Sequence, residues 1–275
     1  PPAGWEATLP EFDASDGPIA TRAAGGQIMA AIAPALPELA GGSADLHPST
    51  KTYLQAYPAV SKGEYGSRNL HFGIREHAMG AIMNGLSQHG GFIPYGGTFL
   101  VFSDYQRPAV RIAALAELKV IYLYTHDSIG VGGDGPTHQP IEQVDSLRAI
   151  PGLTVLRPAD ANETREAWKL ALKVHGPVAL ILTRQNVPVI DGLPVREAIH
   201  GAYVALDPPD GNPDSIVLAT GSELHLALEA AREMHSRGKA VRVVNMPSQE
   251  LFDLEDPVYR DEVLPPSIRV RLAVE

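Results

Sequence analysis

The chain has 275 residues, 44% hydrophobic and 20% charged, with 22 Lys and Arg against 32 Asp and Glu for a formal charge of −10. That length suits about two domains with a sizeable core, while the composition excludes wholesale disorder and offers no Lys/Arg-rich run for a nucleic acid. The absence of cysteine excludes a disulfide scaffold, a thiolate nucleophile and a Cys-based zinc site. No apolar run reaches the ~18–20 residues of a membrane span. The opening Pro1-Pro2-Ala3-Gly4-Trp5 has neither a signal-peptide pattern nor an initiator Met. A cytoplasmic α/β protein, with this chain beginning inside a longer one, is the expectation.

Residues 1–18 are rich in Pro, Asp and Gly and are expected to form a linker or extended arm. Residues 19–39 carry apolar positions at helical spacing and end at Pro34 and Pro37. Ala40 to Asp45 (AGGSAD) is expected to be a tight turn after a short strand, and 46–67 are polar and turn-like. Arg75 to His89 predicts a helix with Ala78, Met79, Ile82 and Leu86 on one face and Gly90-Gly91 as its stop. A strand at Phe92–Tyr95 and a helix at Phe102–Leu118 follow, then a buried strand, Lys119–Tyr124, with a Gly-rich loop behind it to Pro140. A short helix (Ile141–Ile150) and a strand (Leu153–Leu156) precede a helix opened by an Asp160–Glu163 capping box, and Val178–Thr183 predicts a further buried strand.

Strands alternating with helices predict a doubly wound, mostly parallel sheet over residues 1–190, the arm included. Residues 191–214, with Pro188 just before them and Pro194, Pro208, Pro209 and Pro213 within, are expected to be a linker. A strand, a helix and a strand between Ser215 and Asn245 then form a βαβ unit, so 215–275 predict an incomplete second α/β domain. Ser222 is expected to be a helix N-cap.

Gly130 to Gly135 (GVGGDG) follows a strand and matches G-x-G-x-x-G, yet no long helix opens after it and no acidic residue stands ~20 residues on, so the dinucleotide reading fails. Asp134 and His138 instead sit on a Gly-rich loop at the carboxyl end of a buried strand, where ligands bind in open α/β sheets. The ten histidines are scattered without H-E-x-x-H, and no metal ligand is assigned to this chain; no G-x-S-x-G is present either. Glu76, beside Phe72, Ile74 and Met79, is either an acid suited to a helix N-terminus or a proton donor in apolar surroundings. Phe99, Phe102 and Tyr105 recur at spacing three, which places them on one face of a helix start, as a core stripe or as a wall for a flat ring.

The strings GGSADLHPS, HFGIREHAMGAI, PYGGTFLVFSDY, THDSIGVGGDGPTHQPIE, LRPAD and TRQNVP occur in an order and spacing that resembles the transketolase family, from its pyrimidine-binding domain into the opening of its C-terminal domain. The resemblance implies a thiamine diphosphate enzyme that moves a two-carbon ketol unit from a ketose phosphate to an aldose phosphate. By that resemblance Glu76 hydrogen-bonds N1′ of the aminopyrimidine and sets its tautomer, Phe99, Phe102 and Tyr105 enclose the pyrimidine, and Asp45 lies on the thiazolium side. His138 bonds the reacting oxygens, Asp134 reads a sugar hydroxyl, and Arg22, Ser49, His126 and Arg184 clamp the substrate phosphate. It further implies that a diphosphate-binding domain, not found in this chain, holds the diphosphate and a divalent metal (Mg²⁺ or Ca²⁺), and that the site lies between two subunits of a dimer. Gly133-Asp134-Gly135 belongs to the substrate loop and is not the motif of that domain. Dihydroxyacetone synthase and a non-catalytic partner subunit remain the alternatives. Deoxyxylulose-phosphate synthase is disfavoured by DGPTHQP.

Overall fold

A computed structural model describes residues 2–275. In chain order the regular elements of the first unit are α1 (Thr21–Ile32), β1 (Leu39–Ser43), α2 (His47–Thr50), β2 (Asn69–His71), α3 (Glu76–His89), β3 (Ile93–Phe99), α4 (Ser103–Leu115), β4 (Ile121–Thr125), α5 (Gln143–Arg148), β5 (Thr154–Leu156), α6 (Ala161–Lys173) and β6 (Val178–Leu182). Its six strands form an all-parallel sheet in the order β2-β1-β3-β4-β6-β5. Successive side chains on a strand face opposite ways. Ile121 and Leu123 of β4, with Val178, Leu180 and Leu182 of β6, therefore join the core under α1 and α6. Tyr122, Tyr124, Ala179 and Ile181 join the core under α3 and α4. Helices on both faces make the doubly wound architecture.

Several local expectations are corrected. Gly41 and Gly42 lie inside β1 and not in a turn. A Cβ at Gly41 would run into the Tyr95 carbonyl and one at Gly42 into that of Leu70, so the small residues that read as a turn are there for close approach of the neighbouring strands. The inner face of α3 comprises Glu76, Met79, Gly80, Met83 and Asn84, while Ile82 turns outward. Gly80 lets α4 come close, and Asn84 Nδ2 donates to the Ala109 carbonyl at 2.9 Å. The N-terminal arm is not free: Trp5 and Leu9 are buried in the core of α1 and α6. Asp160 caps α6 as expected, its Oδ1 accepting from Glu163 N at 2.8 Å.

The second unit adds β7 (Tyr203–Leu206), β8 (Ser215–Ala219), α7 (Leu224–Ser236), β9 (Val241–Asn245), α8 (Gln249–Asp253), α9 (Pro257–Val263) and β10 (Val270–Val274). Its sheet runs β10-β8-β9-β7, with β7 antiparallel to β9 and the other pairs parallel. β7 falls within the 191–214 stretch read as a linker. The prolines stand on either side of Tyr203–Leu206, leaving that run free to pair, and Tyr203 is buried against α6, where its hydroxyl donates to Glu163 Oε1 at 2.7 Å. Ser222 is not an N-cap: it lies within a 3-10 turn, Gly221–Glu223, and its hydroxyl bonds Glu223 at 2.9 Å. No helix among the described residues is long and apolar enough to cross a membrane.

Candidate functional site

A parallel sheet brings the carboxyl ends of all its strands to one edge, and the loops leaving that edge carry the chemistry. Here β1 leads to Ser49, β3 ends at Phe99, β4 runs into His126 and the Gly-rich loop with Asp134 and His138, and β6 leads to Arg184. Arg22 enters from the first turn of α1. Arg22, Ser49, Phe99, His126, Asp134, His138 and Arg184 together line one cleft of about 350 Å³.

The cleft is cationic although the chain is acidic. Arg22 Nη1 donates to the Ser49 carbonyl at 2.7 Å, while its buried Nε has no partner among the described residues. Burial, and then the like charge of Arg184, push the Arg22 guanidinium down from its ordinary pKa. His126 is buried and pushed down to about 4, by desolvation first and then by Arg22, against the opposing pull of Asp134. Two guanidiniums and a neutral imidazole around a small opening are donors arranged for an anion. His126 also sits at φ +63°, in the left-handed region that residues with a side chain seldom adopt. Its ring stacks on Phe99 with centroids 3.6 Å apart, and its Nδ1 lies 2.8 Å from the Thr125 hydroxyl.

Beside the cleft the aromatic residues form a row. Phe99 closes β3, Phe102 ends the 3-10 turn Leu100–Phe102 and Tyr105 lies in the first turn of α4, so they do not share one helix face as their spacing suggested. Their rings are nonetheless nearly parallel, Phe99 to Phe102 at 6.0 Å and 10° and Phe102 to Tyr105 at 5.9 Å and 20°. His138 meets Phe102 edge-on at 5.3 Å and Phe99 at 6.0 Å. Glu76, buried at the start of α3, reaches this row through Thr98, whose hydroxyl lies 3.5 Å from Glu76 Oε1. An acid beside a stack of flat rings, one of them 65% exposed (Tyr105), suits a planar heteroaromatic group with a ring nitrogen. Asp45 stands exposed at the carboxyl end of β1, at φ +65°, on the same edge but outside the residues lining the cleft.

Sequence reasoning missed a buried ion cluster directly behind His126. Asp127 and Arg157 are fully buried and paired at 3.0 Å, and Glu223 of the second unit joins them at 2.7 Å. The available signal was Asp127 following His126 and Arg157 standing within LRPAD, neither of which was assigned a role. Among the described residues no group of three or more His, Cys, Asp or Glu is placed to hold a metal ion.

Comparison with known proteins follows the same lines. Residues 17–189 match the family model "Transketolase, pyrimidine binding domain", and residues 201–275 match "Transketolase-like TK C-terminal domain". The transketolase of Mycobacterium tuberculosis (strain H37Rv) is 51% identical over 290 residues, covering 100% of this chain and 41% of that protein. The crystal structure of a Pichia stipitis transketolase complexed with sedoheptulose 7-phosphate superposes with a TM-score of 0.94 at 42% identity, over 100% of this chain and 41% of the other. A split-gene transketolase, described as an inactive β4 tetramer, superposes with a TM-score of 0.73 at 30% identity, over 90% of this chain and 77% of the other. The chain spans about two fifths of the length of the curated relatives it matches.

Proposed function

This chain belongs to the transketolase family, and on that premise we propose that it forms the pyrimidine and substrate side of a thiamine diphosphate site for ketol transfer between sugar phosphates, as in the cytoplasmic pentose phosphate pathway. The observation that carries the reading is the cleft itself: the phosphate-type donors Arg22, His126 and Arg184 open beside the acid and aromatic row suited to a pyrimidine. Solved Pichia stipitis relatives hold xylulose 5-phosphate, sedoheptulose 7-phosphate or fructose 6-phosphate, and this cleft offers the charge such phosphates need.

The residues present fit the cofactor's pyrimidine: among the described residues Glu76 has one long hydrogen bond and spare acceptor capacity, and the stacked rings are of matching shape. When bound, thiamine diphosphate supplies the carbanion-stabilising chemistry. Glu76 would hold a proton at the pyrimidine nitrogen, and Phe99, Phe102 and Tyr105 would fix the ring and exclude water. Arg22 and Arg184 would pair the phosphate oxygens, bidentately where geometry allows. His126, neutral near pH 7, can donate to the phosphate from Nε2 while the Thr125 hydroxyl engages Nδ1. His138 and Asp134 would orient the sugar hydroxyls.

The diphosphate and its Mg²⁺ or Ca²⁺ would be held by a further domain. A second subunit would cover the large apolar side chains exposed along and beside α3 and α4, namely Ile74, Ile82, Ile112 and Leu115. That domain could come from the same protein or from a separate chain, and the match to a split-gene transketolase chain favours keeping the second arrangement in view.

The test is a titration of the purified chain with thiamine diphosphate, followed by a transfer assay with and without a complementary diphosphate-binding domain and magnesium. Weak binding and no transfer by the chain alone, with both restored on complementation, is the expected result. Tight binding and turnover by the chain alone would overturn the division of the site. No turnover after complementation would favour a non-catalytic partner subunit, and a preference for formaldehyde as acceptor would favour a dihydroxyacetone synthase.

A further inference from the structure

We propose that Arg157 is a positioning residue for His126: it ties the second α/β unit, through Glu223 and Thr220, to the Asp127 carboxylate, and so holds His126 in the geometry the phosphate end of the cleft requires. The inference rests on the functional reading above and adds a role for a residue, and for a unit, that make no contribution to the cleft lining.

The chain leaves β4 at Thr125 and turns through His126 in the left-handed region. That turn sends two adjacent side chains to different places. The His126 ring goes to the cleft, onto Phe99, and the Asp127 carboxylate goes inward, where Arg157 Nε and Nη2 donate to its Oδ2 at 3.2 and 3.0 Å. Among the described residues the His126 ring is held by the Thr125 hydroxyl and by stacking on Phe99. The rigid anchor in the turn is the next residue.

Arg157 is in turn gripped by the second unit. Its Nη1 donates to the Thr220 carbonyl at 3.0 Å and its Nη2 lies 2.7 Å from Glu223 Oε2. Its own backbone N–H donates to the Pro247 carbonyl at 2.8 Å, and its carbonyl accepts from Gly221 at 3.2 Å. Gly221, at φ +58°, passes so closely over the guanidinium that a Cβ there would meet Arg157 Nε at 2.7 Å. A planar, five-donor cation is the side chain able to serve a carboxylate on one unit and a carboxylate and carbonyl on the other at once. Arg157 has 2% of its side chain exposed and Asp127 none. Solvent screening is therefore slight, and a partner removed there leaves a buried charge. Relaxation of Asp127 is transmitted along one peptide unit to His126.

The experiment uses the holoenzyme and two donors, xylulose 5-phosphate and the unphosphorylated hydroxypyruvate. The shape-conserving Asp127→Asn is expected to raise the KM ratio of phosphorylated to unphosphorylated donor about tenfold, and Glu223→Gln, which changes a partly exposed group of the second unit, about threefold. Arg157→Lys should retain more of the wild-type ratio than Arg157→Met. A cluster that serves only stability lowers the thermal midpoint and leaves the KM ratio at its wild-type value, and that result for Asp127→Asn and Glu223→Gln overturns the proposal. Should the wild-type holoenzyme transfer from neither donor, the functional reading fails on its own account. The coupling is then read by calorimetric titration with inorganic phosphate, where about tenfold weaker binding by Asp127→Asn supports it and equal binding overturns it.

Discussion

The Thr98 hydroxyl stands 3.5 Å from Glu76 Oε1 and is the one hydrogen-bond partner this buried carboxylate has among the described residues. Thr98 is also the residue before Phe99, so the last two residues of β3 present the acid on one side and the aromatic row on the other. Glu76 is under-partnered for a structural role: a buried acid kept for the fold is ordinarily held by several donors, as Glu163 is by Ala159 N, Tyr203 and Asn245.

Glu76→Gln keeps the shape and an acceptor for Thr98 while removing the ionisable proton. Turnover of the assembled enzyme should fall at least ~10²-fold, the scale of a lost acid–base group, with little change in thermal midpoint. Assays at saturating thiamine diphosphate separate this from weakened binding. Near-normal turnover there would return Glu76 to the role of a helix-terminal acid.

Arg184 is exposed at the cleft mouth, next to the half-buried Arg22. Arg184→Ala should weaken phosphorylated donors and acceptors about 10- to 100-fold, the range of a charge-assisted bond, and hydroxypyruvate far less. Steady-state KM values for the two substrate classes decide it. Equal losses would mean that Arg184 serves the fold or the cofactor.

Ile82 of α3 and Ile112 and Leu115 of α4 are 48%, 51% and 74% exposed on adjoining helices. A paired Ile82→Glu and Ile112→Glu substitution should leave the core of α3 and α4 intact, because Met79, Met83 and Val110 carry it. The change should move the chain toward monomer in sedimentation equilibrium. Unchanged association would place the subunit contact elsewhere.

Much of the fold was legible because its signals are local: the continuous apolar runs of β4 and β6, the Asp160 cap and the Gly90 stop each act within a few residues. The errors arose where a distant neighbour decides. Gly41 and Gly42 look like a turn until the Tyr95 and Leu70 carbonyls lie against them. Ile82 looks like core until Gly80 and Asn84 turn the helix toward α4. In the site, Arg22, Ser49, His126, Asp134, His138 and Arg184 could be picked out from motifs, and the structure brings them to one cleft. Arg157 could not, since its importance comes from a carboxylate 30 residues before it and another on a separate sheet unit. The same holds for the meeting of Glu163, Tyr203 and Asn245, three residues that share no sequence pattern.

That meeting and His126 give the chain two opposed acid responses. Burial pushes Glu163 up to about 7 from an ordinary 4.5, against the hydrogen bonds from Ala159, Tyr203 and Asn245. The native state then holds a proton that the unfolded chain has lost, so this group stabilises below pH 4.5 and its contribution is lost as pH rises toward 7. His126 does the reverse. Desolvation first, then Arg22, lowers it from 6.5 to about 4, so the unfolded chain takes the proton first, and stability present above 6.5 is lost as pH falls toward 4. The two windows overlap, so wild-type stability should change little on mild acidification from these groups. Single substitutions unmask them. In urea unfolding at pH about 7.5 and about 4.5, Glu163→Gln should lose stability on acidification through the remaining histidine, whereas His126→Asn should gain it through the remaining acid. Slopes of the same sign in both variants would show that one of the two groups keeps its ordinary proton affinity in the folded chain.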